Sequence, residues 1–110
     1  MRGEDRRVEA AEVGERAVVG TTVERRSANG KSFRIKEEVT NGRIRGVVLT
    51  GDFFLEPEES IYRLERALAA AAAASGANEA RVLINVALRS AKLTGITVED
   101  LVEAVLEIRP

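Results

Sequence analysis

Cysteine, histidine, tryptophan and glutamine are all missing from this 110-residue chain. Without cysteine there is no disulfide, no thiolate nucleophile and no thiolate-held iron–sulfur cluster. Without histidine the commonest general base is gone, together with most zinc sites. The usual nucleophile–base pairs lack a partner. No apolar run approaches the roughly 20 residues of a membrane span. The start, "MRGEDRRVEAAEVGER", lacks the apolar middle of a signal peptide. Net charge is −1, so no global basic field recruits nucleic acid or membrane. These absences describe a cytoplasmic helper more readily than a catalyst. Carboxylate-only sites for magnesium or calcium stay open, and few reaction types survive.

What remains is 45% apolar and 32% charged, the composition of one soluble globular domain. The lack of thermolabile Cys and Gln, with arginine in excess over lysine, fits a thermophile or a GC-rich genome. Residues 1–16 are charge-dense and read as a tail or short surface helix; residues 17–110 read as the single domain. "AVVGTTVERR" alternates and predicts a strand, broken by "SANG". In "KSFRIKEEVTNGRIRGVVLT" two alternating runs flank Asn41-Gly42, the favoured pair for a type I′ hairpin turn. That turn sets Thr40 opposite Arg43, Val39 opposite Ile44, Glu38 opposite Arg45, Ile35 opposite Val48 and Phe33 opposite Thr50. Phe33, Ile35, Val39, Ile44 and Val48 then form the core face. Arg34, Lys36, Glu38, Arg43 and Arg45 form the other, together with Val47 and Leu49. Glu38 and Arg45 become a cross-strand ion pair.

Pro57 suits the first turn of a helix, with Glu58 and Glu59 at its positive end. Ile61, Leu64, Ala67, Leu68 and Ala71 repeat at helical spacing, an alanine run follows, and Gly76 supplies a stop. "NEARVLINVALRSAKL" reads as a helix with Val82, Leu83, Val86 and Ala87 on its apolar face; a buried strand is the alternative. "ITVEDLVEAVLEI" reads as a helix with a capping box, Thr97 as cap and Asp100 in the glutamate position. Leu101, Val105 and Ile108 make its stripe. Three strands and then three helices predict an α+β domain, a three-stranded antiparallel sheet with two or three helices packed on one face.

The chain holds three phenylalanines and one tyrosine, and two of these four aromatics adjoin in "VVLTGDFFLEPEES". Neighbouring side chains on a strand point to opposite faces. Continued alternation puts Phe54 in the core and adds Phe53 to the row Val47, Leu49 on the open face, unless Gly51 resets the parity. An apolar row on an open face marks a contact surface. The competing reading is a turn at Gly51-Asp52 that traps both rings between sheet and helix, Asp52 capping backbone amides.

Gly30-Lys31 before the hairpin, Asn41-Gly42 and Ile44 within it, and Gly51-Asp52-Phe53-Phe54-Leu55-Glu56-Pro57-Glu58 after it resemble the accessory domain of lipoate–protein ligases. "GITVEDLVEAV" is similar to that family's closing helix. Ala28-Asn29 stands where the family often has Pro-Gly, and "RVLINVAL" departs from its charged helices. The resemblance implies a fold similar to sulfur-transfer and iron–sulfur scaffold proteins. It implies a non-catalytic accessory subunit, separate from its catalytic partner. The partner uses ATP and lipoate to form lipoyl-adenylate and passes lipoyl to a lysine of an acceptor protein. No catalytic residue, cofactor or metal then belongs to this chain. The expected partner-interface residues are Lys31, Val47, Leu49, Gly51, Asp52, Phe53, Phe54 and Pro57. Phe53→Ala is expected to weaken association more than folding, and Phe54→Ala the reverse. The alternatives are a self-associating structural module and an enzyme built on Asp52, Glu56, Glu58 and Glu59. Acids in a first helical turn are more often dipole partners.

Overall fold

The structure, a computed structural model, describes residues 20–41 and 43–108. The 1–16 segment, residues 17–19, Gly42 and the Arg43 and Ile44 side chains lie outside that description. The elements are β1 (Thr22–Arg26), β2 (Ser32–Thr40), β3 (Arg43–Gly51), β4 (Phe54–Glu56), α1 (Ser60–Ala72), α2 (Ala77–Ala87), β5 (Lys92–Thr94) and α3 (Val98–Glu107). Among the described residues β1, β2 and β3 form an antiparallel sheet in that order, and β4 pairs with β5 in a two-stranded antiparallel ribbon. The predicted α+β class and three-stranded sheet are observed. The ribbon is new: Phe54-Leu55-Glu56 and Lys92-Leu93-Thr94 are too short to carry a strand pattern of their own.

The hairpin turns where expected. Asn41 takes φ 56°, the left-handed conformation that a type I′ turn requires and that asparagine tolerates. Thr40 faces Arg43 and Val39 faces Ile44, as the turn dictates. The register then slips. Glu38 faces Gly46, Ile35 faces Leu49 and Phe33 faces Gly51, leaving Arg45 as the extra residue of a bulge. A slip of one residue exchanges the two faces of a strand. Val47 and Leu49 therefore point into the core, each 4% exposed, while Val48 lies half-buried on the opposite side. This corrects the expected open-face row and replaces the Glu38–Arg45 pairing by Glu38–Gly46.

The core face of the sheet carries Val23, Phe33, Ile35, Val47 and Leu49, all joined in one cluster with the helices. Glu37 shares this face at 6% exposure, and its Oε2 has no hydrogen-bond partner. α1 packs on β3 through Leu64 and Leu68, both fully buried; each such side chain contributes about 1.5–3 kcal/mol. α2 packs between α1 and α3, and α3 reaches β1.

The helix limits differ from the sequence pattern in three places. α1 starts at Ser60, so Pro57 and Glu58 precede it and Glu59 sits at the N-cap without a side-chain cap bond. The entry is instead a tight turn in which the Ser60 amide donates to the Pro57 carbonyl at 3.0 Å. α1 ends at Ala72, and Gly76 opens α2 rather than closing α1. α2 is helical as read, but it buries Ala80, Ile84 and Ala87, with Leu83 half-buried. Val82 and Val86 of the expected face are 60% and 50% exposed. α3 has the expected capping box and buries Leu101, Val105 and Ile108.

Candidate functional site

The end of β3 makes the corner on which the sequence motif sits. Gly51 has φ +152°, and a Cβ there would stand 2.6 Å from the Phe33 Cα and 2.7 Å from the Ser32 carbonyl oxygen. Only glycine fits that approach. The Asp52 amide still donates to the Ser32 carbonyl at 2.8 Å, after which the chain turns into β4. Asp52 caps no amide through its side chain among the described residues; its carboxylate lies 3.8 Å from the Lys31 ammonium, with both side chains largely in solvent.

The turn separates the two rings. Phe53 is half-buried against the core. Phe54, on β4, is 75% exposed. The rings diverge as expected, with their assignment reversed: Phe53 faces the protein and Phe54 faces out. The reversal follows from the bulge: with Val47 and Leu49 turned inward, the same alternation carried forward puts position 53 inward and position 54 outward.

Between the end of β3 and the start of α1 lies a shallow groove of about 400 Å³, lined by Leu49, Thr50, Gly51, Phe53, Phe54, Leu55, Glu58 and Ile61. Glu65, one turn along α1 from Ile61, accepts a hydrogen bond from the Leu49 amide at 2.9 Å. A helix side chain thus occupies an outward amide of edge strand β3. Of the expected interface residues, Gly51, Phe53, Phe54 and Leu49 meet in this groove, and Lys31 is tied to it through Asp52. Pro57 lies in the turn beside it. Val47 is not among the lining residues, and its burial removes it from any free surface. Thr50, Leu55, Ile61 and Glu65 escaped the sequence reading. Glu65 carried no local signal, because its partner is a backbone amide 16 residues away.

The other face of the sheet is polar. Glu24, Arg26, Arg34, Lys36 and Glu38 are exposed there, and Arg34 donates to Glu24 at 2.6 Å. Among the described residues, Val48 is the apolar side chain on this face of β3, half-buried, and no apolar row forms.

At the opposite edge, the β1–β2 loop is fastened to the start of α3. The Ser27 hydroxyl donates to Asp100 Oδ2 at 2.7 Å, the Thr97 amide donates to the same oxygen at 2.8 Å, and Asn29 donates to the Gly95 carbonyl at 2.8 Å. Burial alone would raise the Asp100 carboxyl. The hydrogen bonds from Ser27 and Thr97, together with the Arg25 charge, outweigh it and hold the group below the ordinary aspartate value. Arg25 on β1 pairs with Glu103 at 2.9 Å and also with Glu107.

Among the described residues no three His, Cys, Asp or Glu side chains gather as a metal centre would require, and no helix is long and apolar enough to cross a membrane. No family model matches the chain, and no curated protein matches it. Among solved structures, the chain is similar to one from an archaeal lipoylation system of Thermoplasma acidophilum, which comprises a bipartite lipoate protein ligase and its E2 lipoyl domain. The TM-score is 0.59 at 23% identity, over 81% of this chain and 97% of that chain. At that identity the likeness is one of fold: this protein shares its α+β architecture with a component of a lipoylation system.

Proposed function

We propose that this protein is the non-catalytic accessory subunit of a two-part lipoate–protein ligase. The observation that carries the reading is the fold match over 97% of a chain from a bipartite ligase system. That coverage makes the matched chain about the size of this one. The Gly51-to-Glu58 motif, which resembles that of the accessory domains, supports the reading further, since it forms a defined corner with an exposed aromatic ring. The absence of histidine and cysteine gives the chain little with which to run chemistry itself.

In this reading the ATP and lipoate are used by the catalytic subunit, and the lipoyl group goes to acceptor proteins that this chain meets only indirectly. The accessory subunit binds one conformation of its partner more tightly than the others. It can then shift the partner's population by no more than that difference in affinity. Neither nucleic acid nor membrane is needed.

The test is reconstitution. The catalytic subunit from the same source is given ATP and lipoate, with and without this chain. Lipoyl-adenylate formation and lipoylation of an acceptor domain are followed separately. The expected result is that neither protein alone forms lipoyl-adenylate and that the mixture does. Full adenylation by the catalytic subunit alone, unchanged on adding this chain, would falsify the reading.

A further inference from the structure

We infer that the groove beside Phe54 receives a cationic segment with one apolar anchor, presented by the catalytic subunit. This rests on the function proposed above and adds the chemistry of the contact.

The floor of the groove is apolar, with Leu49, Phe53, Leu55 and Ile61, and Phe54 stands at its side with three-quarters of its surface in water. Glu58 is the charged residue among those that line it, and the chain around it is short of bases. The chain has 17 lysines and arginines in 110 residues, yet none falls between positions 46 and 62. The same stretch holds Asp52, Glu56, Glu58 and Glu59. Asp52 has Lys31 nearby, and Glu56 faces Lys92 across the β4–β5 ribbon. Glu58, on the groove wall, and Glu59 enter no ion pair with the described residues. A net charge of −1 for the whole chain makes this a local field rather than a general one. An acidic rim around an apolar floor complements a lysine- or arginine-bearing surface with one apolar knob, and repels nucleic acid.

The manner of entry follows from Glu65. An edge strand is an ordinary template for a partner's strand. Here the Leu49 amide is already taken by the Glu65 carboxylate. A partner strand pairing at that position would have to displace it. Contact through side chains, into the groove and onto the Phe54 ring, leaves that bond in place.

The experiment measures binding of the full chain to the same-source catalytic subunit, by surface plasmon resonance at low and high salt. Four variants are compared with the unaltered chain: Phe54→Ala, Phe54→Leu, the double reversal Glu58→Lys with Glu59→Lys, and Lys36→Glu on the polar sheet face as a control. Unfolding midpoints close to that of the unaltered chain establish that each is folded. Phe54→Ala is expected to raise Kd about tenfold or more, as a central anchor does. Phe54→Leu, which keeps an apolar body, retains most of the affinity. The double reversal raises Kd roughly tenfold at low salt, mainly through a slower association rate, and less in high salt. Lys36→Glu leaves Kd unchanged or tightens it slightly. Unaltered affinity in both Phe54→Ala and the double reversal, with ligase activation intact, would overturn the groove while leaving the accessory role standing. Tighter binding by the double reversal would overturn the cationic occupant. Sedimentation showing that the chain self-associates through Phe54 would overturn the choice of partner. Failure of the unaltered chain to bind any catalytic subunit would remove both this inference and the function beneath it.

Discussion

At the β1 edge of the sheet, Arg25 reaches Glu103 and Glu107 on α3, and the loop after β1 is fastened to Asp100 and Gly95. At the β3 edge, the Glu65 carboxylate takes the Leu49 amide, and Phe54 stands nearby at 75% exposure. Both edges flank the same core, yet one is closed by polar bonds to a helix and the other keeps an apolar groove open to solvent. Exposed ion pairs such as those of Arg25 contribute little each. The half-buried Asp100 junction contributes more, because a carboxylate accepting several hydrogen bonds out of bulk water is costly to leave unpartnered. The difference teaches that the ion pairs and the carboxylate junction gather at the β1 edge, while the β3 edge has one helix-to-strand hydrogen bond beside an apolar groove open to solvent.

The comparison can be broken or sharpened by substitution. The largest effect belongs to the core that both edges share. Phe33, 2% exposed, also forms the wall against which Gly51 is pressed. Phe33→Ala is expected to cost about 3–5 kcal/mol in denaturant unfolding. A loss below about 1 kcal/mol would mean that the edges, rather than the core, hold the fold.

An intermediate effect belongs to the closed edge. Asp100→Asn keeps the shape and removes the charge that gathers Ser27 and Thr97, at a cost of about 1–2 kcal/mol near neutral pH. The carboxyl has a lowered pKa in the folded protein. Its charge therefore contributes fully above the ordinary value of 3.8, and the contribution is lost as pH falls from there through the lower folded value. Unfolding of the original and the variant should converge over that acidic interval. A gap that stayed constant into strong acid would refute the charge-based account.

The smallest effect on stability belongs to the open edge. Phe54→Ala should shift unfolding by no more than about 0.5 kcal/mol, the usual range for an exposed position. A loss comparable with that of Phe33→Ala would show the ring to be structural and the groove closed in solution.

Local chemistry made part of this molecule readable in advance. The Asn41-Gly42 turn set its first two residue pairs because Asn tolerates positive φ. The Thr97–Asp100 capping box formed because the partners are three residues apart on one helix turn. The GDFF corner was legible in part: divergence of the two rings was one of two readings, the other trapping both between sheet and helix. Its orientation was not legible. Neither the bulge at Arg45 nor the outward aim of Phe54 has a signature in the neighbouring residues. The buried face of α2 differs from the one its valine spacing predicts, for a similar reason. Its valines at 82 and 86 satisfy helical spacing, yet Ala80 and Ile84 are what the α1 and α3 surfaces accept. The β4–β5 ribbon joins segments almost 40 positions apart, through pairs such as Leu55 with Leu93.

The sequence by itself determined a hairpin about Asn41, the presence of three helices with the capping box of the last, and a chain lacking imidazole and thiol chemistry. Tertiary structure decided which side of β3 is inside. The bulge forfeits about one ladder hydrogen bond, roughly 0.5–1.5 kcal/mol net. In return it trades burial of Val48 for burial of both Val47 and Leu49, a gain of about 1.5–3 kcal/mol for the additional side chain. Turns and caps are settled within a few residues, where backbone conformation and single hydrogen bonds rule. The choice of face is settled by apolar area summed over the sheet and the helix that covers it, and that sum exists only once α1 is in place.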